Sequence, residues 1–296
     1  GFFPNDIQAQ FANSNFGLRS KMGFTLNHEI SKGSFDFDGR SVDLTQQVTN
    51  FQASFPLLKR INTRGTRVRL NILKAEYTFR NIENVYPGSS IHEQSVLKDD
   101  FYANSLNLSY LHTVRYPWMM VHSLRLSYAG DYSENTPLQI NASSFALYRV
   151  NKNLLLGLGV LYQQMEHERS FLVVPYLDWR SSNQWFVDIT APDRILIGKN
   201  IGRKKHTQIA WGTYLEFLTR FTFQQNGQNR VYENFDISSG LDFRTKVKGK
   251  LFFNAFVGNN FYKNISIRNN ELDRLESGSA FSGLNARLGL SFNLED

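Results

Sequence analysis

The clearest pattern in the chain is an alternation of apolar and polar residues near the C-terminus. It runs through residues 235–246, and a period of two predicts a β-strand. The apolar set is Phe235, Ile237, Leu241, Phe243 and Val247, and the polar set is Asp236, Ser238, Gly240, Asp242, Arg244 and Lys246. After a short basic turn the alternation returns through residues 251–262. The two segments predict a long hairpin with two different faces.

The apolar face of such a hairpin needs a partner. In a soluble sheet it would pack against helices or a second sheet, but almost no segment of the chain could supply the helices. In a closed sheet within a bilayer, the apolar residues face lipid and the polar residues face a lumen. The pattern therefore favours an all-β transmembrane barrel, with a soluble β-sandwich as the alternative fold.

The same alternation predicts about fourteen antiparallel strands, an even number as in single-chain outer-membrane barrels. Residues 1–15 are predicted to be irregular, and residues 1–296 form one domain. A phase change near Thr49 to Phe51 is interpreted as a β-bulge. The longest stretch without periodicity is 81–100. The strands are predicted at 16–27, 41–58, 67–80, 101–114, 119–130, 138–149, 154–164, 171–180, 185–190, 194–201, 207–223, 235–246, 251–262 and 281–294.

Turn lengths predict the orientation of this barrel. The short turns near residues 62, 116, 152, 182, 204 and 248 are predicted to be periplasmic, as are both termini. The segments 185–190 and 194–201 are shorter than the ~9 to 11 residues that span a bilayer. Either the wall is low there, which requires a thinner bilayer or a covering protein, or these bounds are too short.

Composition agrees with a membrane barrel. Aromatic residues make up 14% of the chain, yet the mean hydropathy of -0.38 is that of a soluble protein, because every lipid-facing residue is matched by a polar lumen residue. No apolar run approaches the ~20 residues of a membrane helix. The chain has no cysteine, which excludes disulfides and thiolate sites.

The chain has more basic than acidic residues, with a sequence pI of about 9.5, and the excess of basic residues is concentrated at one end of the predicted barrel. A basic ring at a membrane boundary suits lipid headgroups better than a nucleic-acid groove. We therefore expect outer-membrane lipids, lipopolysaccharide and proteins of the outer membrane or periplasm as partners, and no nucleic acid. The predicted periplasmic rim consists of Lys59, Arg60, Arg64, Arg203, Lys204, Lys205, Lys248 and Lys250.

A second group of charges is predicted to point into the lumen. Enclosed charges must be paired or hydrated, so this group forms either a salt-bridged plug or a polar pore wall. The mixture of both signs favours the plug, since a selective constriction more often carries one sign. The predicted lumen residues are Arg125, Asp178, Arg180, Asp188, Glu216, Arg220, Asp242, Arg244 and Arg287.

One hairpin carries a resemblance to a known family. Residues 173–180 (VVPYLDWR) and 185–194 (WFVDITAPDR) are similar to the central hairpin of an uncharacterised family of outer-membrane β-barrels common in Bacteroidota. The resemblance implies a barrel fold and an outer-membrane location, and it implies no activity and no functional residues.

Candidate chemistry is sparse. His167 and Ser170 could serve a lipid hydrolase at the extracellular edge, although a polar loop is the simpler interpretation. Residues 36–39 (DFDG) begin like a calcium loop but lack its later acidic positions. His28, His92, His112, His122 and His206 have no ligand spacing. No catalytic residue, metal site or cofactor is predicted.

The sequence thus predicts a non-enzymatic integral barrel in the outer membrane of a Gram-negative bacterium. Its predicted role is a structural or accessory subunit of a larger outer-membrane assembly for secretion, insertion or uptake. The alternatives are a narrow porin-like channel for small polar solutes and an outer-membrane lipid-modifying enzyme.

Overall fold

The structure, a computed structural model, describes residues 23–37, 40–64, 67–85, 100–131, 137–165, 168–202, 206–225, 227–269, 273–280 and 283–294. Among these residues no helix is long and apolar enough to cross a membrane. The strands are β1 (Gly23–Phe37), β2 (Arg40–Arg64), β3 (Arg67–Val85), β4 (Asp100–Arg115), β5 (Trp118–Gly130), β6 (Leu138–Asn151), β7 (Leu154–Met165), β8 (Glu168–Arg180), β9 (Trp185–Thr190), β10 (Arg194–Ile201), β11 (Thr207–Gln225), β12 (Gln228–Lys248), β13 (Leu251–Arg268), β14 (Arg274–Ala280) and β15 (Gly283–Asn293).

These strands close into an antiparallel barrel. Strands β1 to β13 each pair with the next along the chain, while β14 and β15 both lie between β13 and β1. Since β14 and β15 share one position in the wall, the barrel has fourteen positions, which confirms the predicted fold. We call the end where β1 begins and β15 ends the turn end, and the opposite end the loop end. The periplasmic placement of the termini stays a prediction.

The outer surface of the barrel is apolar. On the predicted hairpin, now β12 and β13, Leu241, Val247, Val257 and Phe261 are 57%, 58%, 56% and 53% exposed. Near the turn end Trp118, Trp179, Trp185 and Trp211 are also exposed. A belt of exposed apolar side chains bordered by aromatic residues is the surface that a membrane-spanning barrel presents to lipid.

Strands β9 and β10 have the bounds predicted from sequence, with six and eight residues. The low wall is therefore a real feature of the barrel. The predicted bulge near Thr49 to Phe51 is wrong, because β1 and β2 pair there without interruption and the irregularity lies between Pro56 and Leu58. Val48 faces the interior, where its neighbours along the strand are polar. An apolar residue at an inward position interrupts the alternation in the sequence, although the strand pairing is regular.

Two other sequence predictions fall at the margins of the described ranges. The segment 81–100 begins within β3, which extends to Val85, and residues 86–99 lie outside the described residues. The irregular segment 1–15 and the start of the first predicted strand, up to residue 22, also lie outside them.

The loop end of the barrel is narrower than the turn end. Thr222 of β11 pairs in parallel with Gly130 of β5, and the Asp131 amide donates to the Thr222 carbonyl at 3.3 Å. The Gln224 amide donates to the Asp131 carboxylate at 3.2 Å, and the Gln139 side chain donates to the Arg220 carbonyl at 2.7 Å. Strands β11 to β14 and β1 to β5 therefore close a smaller ring that leaves out β6 to β10.

Apolar side chains fill this smaller ring. Phe101 is fully buried, and its ring centroid lies 4.5 Å from Tyr232 and 5.2 Å from Phe221. We call this group the loop-end cluster, and it closes the axis of the barrel at that level. Its members are Phe35, Leu44, Val48, Ile82, Phe101, Ala129, Phe221, Phe223, Tyr232, Ile265, Ile267 and Ala280.

Candidate functional site

A second apolar group occupies the turn-end half of the interior on the side of β3 to β8. We call it the turn-end cluster, and it is as well buried as the loop-end cluster. Ala191, in the turn between β9 and β10, packs against it. Its members are Leu70, Leu111, Met119, Val121, Phe145, Leu147, Leu155, Val174 and Tyr176.

Between the two clusters the wall is open on one side. Strand β8 pairs with β9 only through residues 176–180, and β11 pairs with β10 only through residues 207–214. The Ala191 amide also donates to the Pro175 carbonyl at 3.3 Å, so within the described residues positions 168–174 of β8 have no backbone partner on that edge. Strand β11 turns inward toward β5 instead of returning to β8. We call the resulting gap the side cleft, and its floor is the β9–β10 turn.

A row of polar side chains lies on the inner face of β4 to β8 at the level of this cleft. Its members are paired in direct register across five strands: Asn107, Arg125, Asn141, Gln163 and Ser170. Side chains two or four residues apart on a strand point to the same side. Arg125 is four residues from Val121 of the turn-end cluster, so Arg125 and the residues paired with it face inward. We call this set of residues the polar row.

The remaining interior is a connected polar network. The Lys263 ammonium donates to Ser31 at 3.1 Å and to Gln46 at 2.8 Å, and it lies 3.4 Å from the Asp236 carboxylate. Asn260 also donates to Ser31, at 2.8 Å, and Asn285 links Asn260 to Glu29. Most of these side chains are buried, so their hydrogen bonds offset the cost of removing them from water.

Three of the predicted lumen residues, Asp178, Arg180 and Asp188, take part in two ion pairs with buried carboxylates. Asp178 is fully buried and lies 3.0 Å from Arg180 on the same strand. Asp188 is fully buried as well, and its partner at 3.0 Å is Arg194 of β10. The Thr190 hydroxyl also donates to Asp188, at 3.2 Å. The second pair connects β9 to β10, and in both pairs the buried carboxylate is neutralised by its arginine and is not a free charge lining a pore.

Three further predicted residues, Asp242, Arg244 and Arg287, lie together beside β10 and β11. The Asp242 carboxylate accepts a hydrogen bond from Tyr214 at 2.6 Å. The Arg287 guanidinium lies 4.6 Å from the Tyr214 ring centroid and 3.7 Å from Glu29. Arg244 lies 4.9 Å from the Phe252 ring centroid. Each charge here has a carboxylate, hydroxyl or aromatic partner.

The other predicted lumen residues are distributed differently. The register of β11 shifts between Glu216 and Thr219, and Arg220 then lies on the opposite face from Phe221 of the loop-end cluster. There Arg220 pairs with Glu233, which also binds Arg268 at 2.7 Å. The Glu216 side chain lies outside the described parts. Arg125 lies in the polar row and is exposed.

The basic rim is only partly within the described residues. Lys59 and Arg60 lie on β2 and Lys248 on β12, all exposed and near the turn end, and Lys250 donates to the Leu294 carbonyl at 2.9 Å. The Arg64 side chain and all of residues 203–205 (Arg203, Lys204 and Lys205) lie outside the described parts.

Neither chemical candidate from the sequence is assembled by the described residues. Ser170 is exposed on β8 in the side cleft, while His167 lies outside the described ranges. Asp36 is on β1, and Asp38 and Gly39 lie outside them as well. Among the residues that the structure describes, no group of three His, Asp or Glu side chains is placed to hold a metal ion.

Several interior residues were not identified from the sequence. Lys74 and Glu76 form a buried ion pair at 3.0 Å, and Lys263 lies within the network. Arg194 was missed too, although its period-two phase with Leu196 would have placed it inward. Glu233 and Arg268 carried no such signal, because they lie on the other face of their strands.

Comparisons with solved structures find barrels at low identity. The monoaromatic hydrocarbon channel TodX, as a deletion mutant, is 8% identical with a TM-score of 0.38 over 92% of this chain and 91% of its own. The KdgM porin is 9% identical, with a TM-score of 0.35 over 92% and 99%. An outer membrane channel from Pseudomonas putida F1 is 11% identical, with a TM-score of 0.37 over 92% and 96%. No curated protein matches the chain.

A family model matches nearly the whole chain, over residues 8–294. This match confirms the resemblance to an uncharacterised family, while an origin in Bacteroidota stays a prediction. The chain belongs to the family described as a domain of unknown function, DUF6268.

Proposed function

We propose that this chain is a non-enzymatic integral barrel of the Gram-negative outer membrane, and that small molecules cross it through the side cleft rather than along the barrel axis. The single observation that carries this proposal is the inward turn of β11, which pairs Thr222 with Gly130. This one contact closes the axis with the loop-end cluster and leaves the wall open beside it.

The chemistry of the cleft supports a passage. Open sheet edges do not face lipid tails, because their peptide groups would lose hydrogen bonds, and they are tolerated only where they line protein or water. Among the described residues the edge of β8 at positions 168–174 has no strand beside it, and in this proposal it borders water or a bound molecule. Toward the turn end, Asp242, Arg244 and Asn254 are only half-buried, which supports a water-filled vestibule there. The vestibule faces the periplasm in this proposal.

Blocking the cleft tests the proposal. We expect a bulky maleimide on Ser170→Cys to lower the flux of small sugars and amino acids in liposome swelling toward the rate of protein-free liposomes. The chain has no cysteine of its own, so the label reacts at one position. Arg169→Cys is the matched control, because Arg169 is the adjacent exposed residue on the other face of β8.

Equal swelling rates for the two labelled proteins would contradict a route through the cleft. Heat-modifiable migration on gels before and after labelling shows that both proteins remain folded. An unlabelled protein that causes no swelling at all would contradict passage by any route.

The second candidate function is the accessory subunit, and a feature of the outer wall favours it. Ser144 lies 3.1 Å from the His122 ring nitrogen, and the His122 ring is stacked on His112 at 5.5 Å. These residues share the outward face with the exposed Leu124, at a level where lipid tails would surround them. Polar groups are costly in contact with lipid tails, which supports a covering protein at this face and at the low wall of β9 and β10.

The subunit proposal predicts a loss of partners when the outer polar residues are removed. We expect mild-detergent extraction of the native protein to yield a stable set of co-purifying proteins, and His112→Leu/His122→Leu to lose that set while the barrel still folds. Leu156→Val, an outward change on β7, is the control. A lone monomer from the native protein would contradict the subunit role.

A further inference from the structure

The polar row contains one cation, Arg125, whose surroundings differ from those of the other interior arginines. Arg180, Arg194 and Arg287 each have a carboxylate partner, whereas the exposed Arg125 forms no ion pair with any residue that the structure describes. The Asp193 carboxylate, in the β9–β10 turn, interacts electrostatically with both Arg125 and Arg194. Arg194 is already bound to Asp188 at 3.0 Å.

The two neighbours of Arg125 in the row have unfilled hydrogen-bonding capacity. The side-chain oxygens of Asn107 and Asn141 are buried and have no hydrogen-bond partner among the described residues. Asn107 itself is only 6% exposed. Both atoms are hydrogen-bond acceptors, so a donor such as a hydroxyl or a water is needed to complete their bonds. They lie on either side of Arg125 in direct register.

The residues just below the row are apolar on the side of the cleft. Leu161 and Leu172 are directly paired. They lie two residues closer to the turn end than the pair Gln163 and Ser170. Leu172 is 39% exposed although it faces inward. The cleft thus presents a cation and amide groups above an exposed apolar surface, and it opens sideways where the barrel wall is missing.

From this arrangement we infer that the side cleft binds an amphiphile with an anionic head group, a carboxylate or a phosphate, which lies on Arg125 and the flanking amides while its alkyl chain lies against Leu161 and Leu172. Arginine donates paired, charge-assisted hydrogen bonds to such groups, and hydroxyls beside the anion would satisfy the asparagine oxygens. This inference rests on the proposed passage through the cleft and gives it a substrate class.

Photolabelling of the protein in nanodiscs tests the inference. The probes are a ten-carbon carboxylic acid and the alcohol of the same length, each with a diazirine in the chain. Labelling by each probe is divided by its labelling of the lipid-facing residues of β12, so that partitioning into lipid cancels. In the native protein we expect the acid to label residues 168–175 about tenfold more than the alcohol, as one charge-assisted contact implies. Labelling is located by mass spectrometry of the digested protein.

The variants carry opposite expectations. Arg125→Gln abolishes the preference for the acid, and Asp193→Asn increases it by removing the competing carboxylate. Arg169→Gln, on the other face of β8, leaves the preference unchanged. If Arg125→Gln fails to fold, the increase with Asp193→Asn still tests the inference. Equal labelling by acid and alcohol in the native protein, or an unchanged preference in Asp193→Asn, overturns it.

Two further comparisons are needed. The first identifies the source of the head group, and the second distinguishes a failure of the head-group inference from a failure of the proposed passage. Anionic phosphatidylglycerol in place of zwitterionic phosphatidylcholine suppresses acid labelling if an anionic lipid head group is the occupant, and it leaves labelling unchanged if a diffusible carboxylate is. Equal labelling by the two probes, together with a flux that the Ser170→Cys block still stops, overturns the head-group inference and keeps the passage. A block without effect on flux overturns the passage itself.

Discussion

Phe101→Ala is expected to lower the free energy of unfolding of the barrel by about 3–5 kcal/mol, as for other large-to-small changes at buried phenylalanines. Phe101 is fully buried, and its ring contacts Phe221, Phe223 and Tyr232 at centroid distances of 5.2, 5.6 and 4.5 Å. Because this cluster closes the axis, the same change is expected to raise ion conductance. Guanidinium unfolding with phospholipid vesicles and planar-bilayer recordings measure the two effects.

Phe171→Ala is the control for that prediction. Phe171 is 73% exposed and lies on the outer face, so its removal is expected to change stability by less than about 0.5 kcal/mol and to leave conductance unchanged. Equal effects of the two substitutions would show that the loop-end cluster neither stabilises nor closes the barrel.

Arg194→Met is expected to destabilise the barrel by about 3–5 kcal/mol, because it leaves the Asp188 carboxylate buried without its cation. Asp188 is fully buried, and the Arg194 side chain is 18% exposed, so solvent screens this pair little. Methionine is unbranched like the aliphatic part of arginine, so the substitution keeps that part and removes the guanidinium with its charge and hydrogen bonds. The same unfolding measurement reports the loss.

The double variant Arg194→Met/Asp188→Asn completes the test. Neutralising both partners removes the uncompensated charge, so most of the lost stability is expected to return. A double variant as unstable as Arg194→Met would mean that the loss comes from packing of the arginine rather than from its charge.

The strand arrangement was accessible from sequence because lipid and lumen impose opposite demands on alternate residues. Along β12 the contrast is strong, and the short strands β9 and β10 were placed at their observed bounds by the turn residues between them. Bulges were harder to predict. The shift between Pro56 and Leu58 leaves no change in residue type, and Val48 suggested one where the pairing is regular.

The closure of β11 on β5 could not be predicted, because Gly130 and Thr222 are far apart in sequence and one backbone pair leaves no periodic pattern. The interior clusters were hidden for a different reason. On β4 to β7 the inward residues include Leu111, Val121 and Phe145, so both faces of these strands are apolar in their turn-end half. Alternation identifies a lumen only where the lumen is polar.

Strand phase predicted only part of the candidate site. Inward charges such as Asp178 and Asp188 followed from strand phase, but their pairing with Arg180 and Arg194 required three-dimensional positions. The shift after Glu216 changed the face of Arg220. The side cleft depends on β11 leaving the wall, so Arg125 was predicted as one lumen charge among several rather than as the cation of the polar row.

The central claim is that β11 leaves the wall beside β8 and pairs with β5, and disulfide cross-linking in the cysteine-free chain tests it most directly. Asp131→Cys/Gln224→Cys joins positions that are in contact, since the Asp131 carboxylate accepts from the Gln224 amide at 3.2 Å. Val173→Cys/Leu215→Cys joins the two edges of the gap. We predict a disulfide in the first pair and none in the second. A disulfide only in the second pair would contradict the account, because it would mean that β8 and β11 close a continuous wall without a side cleft.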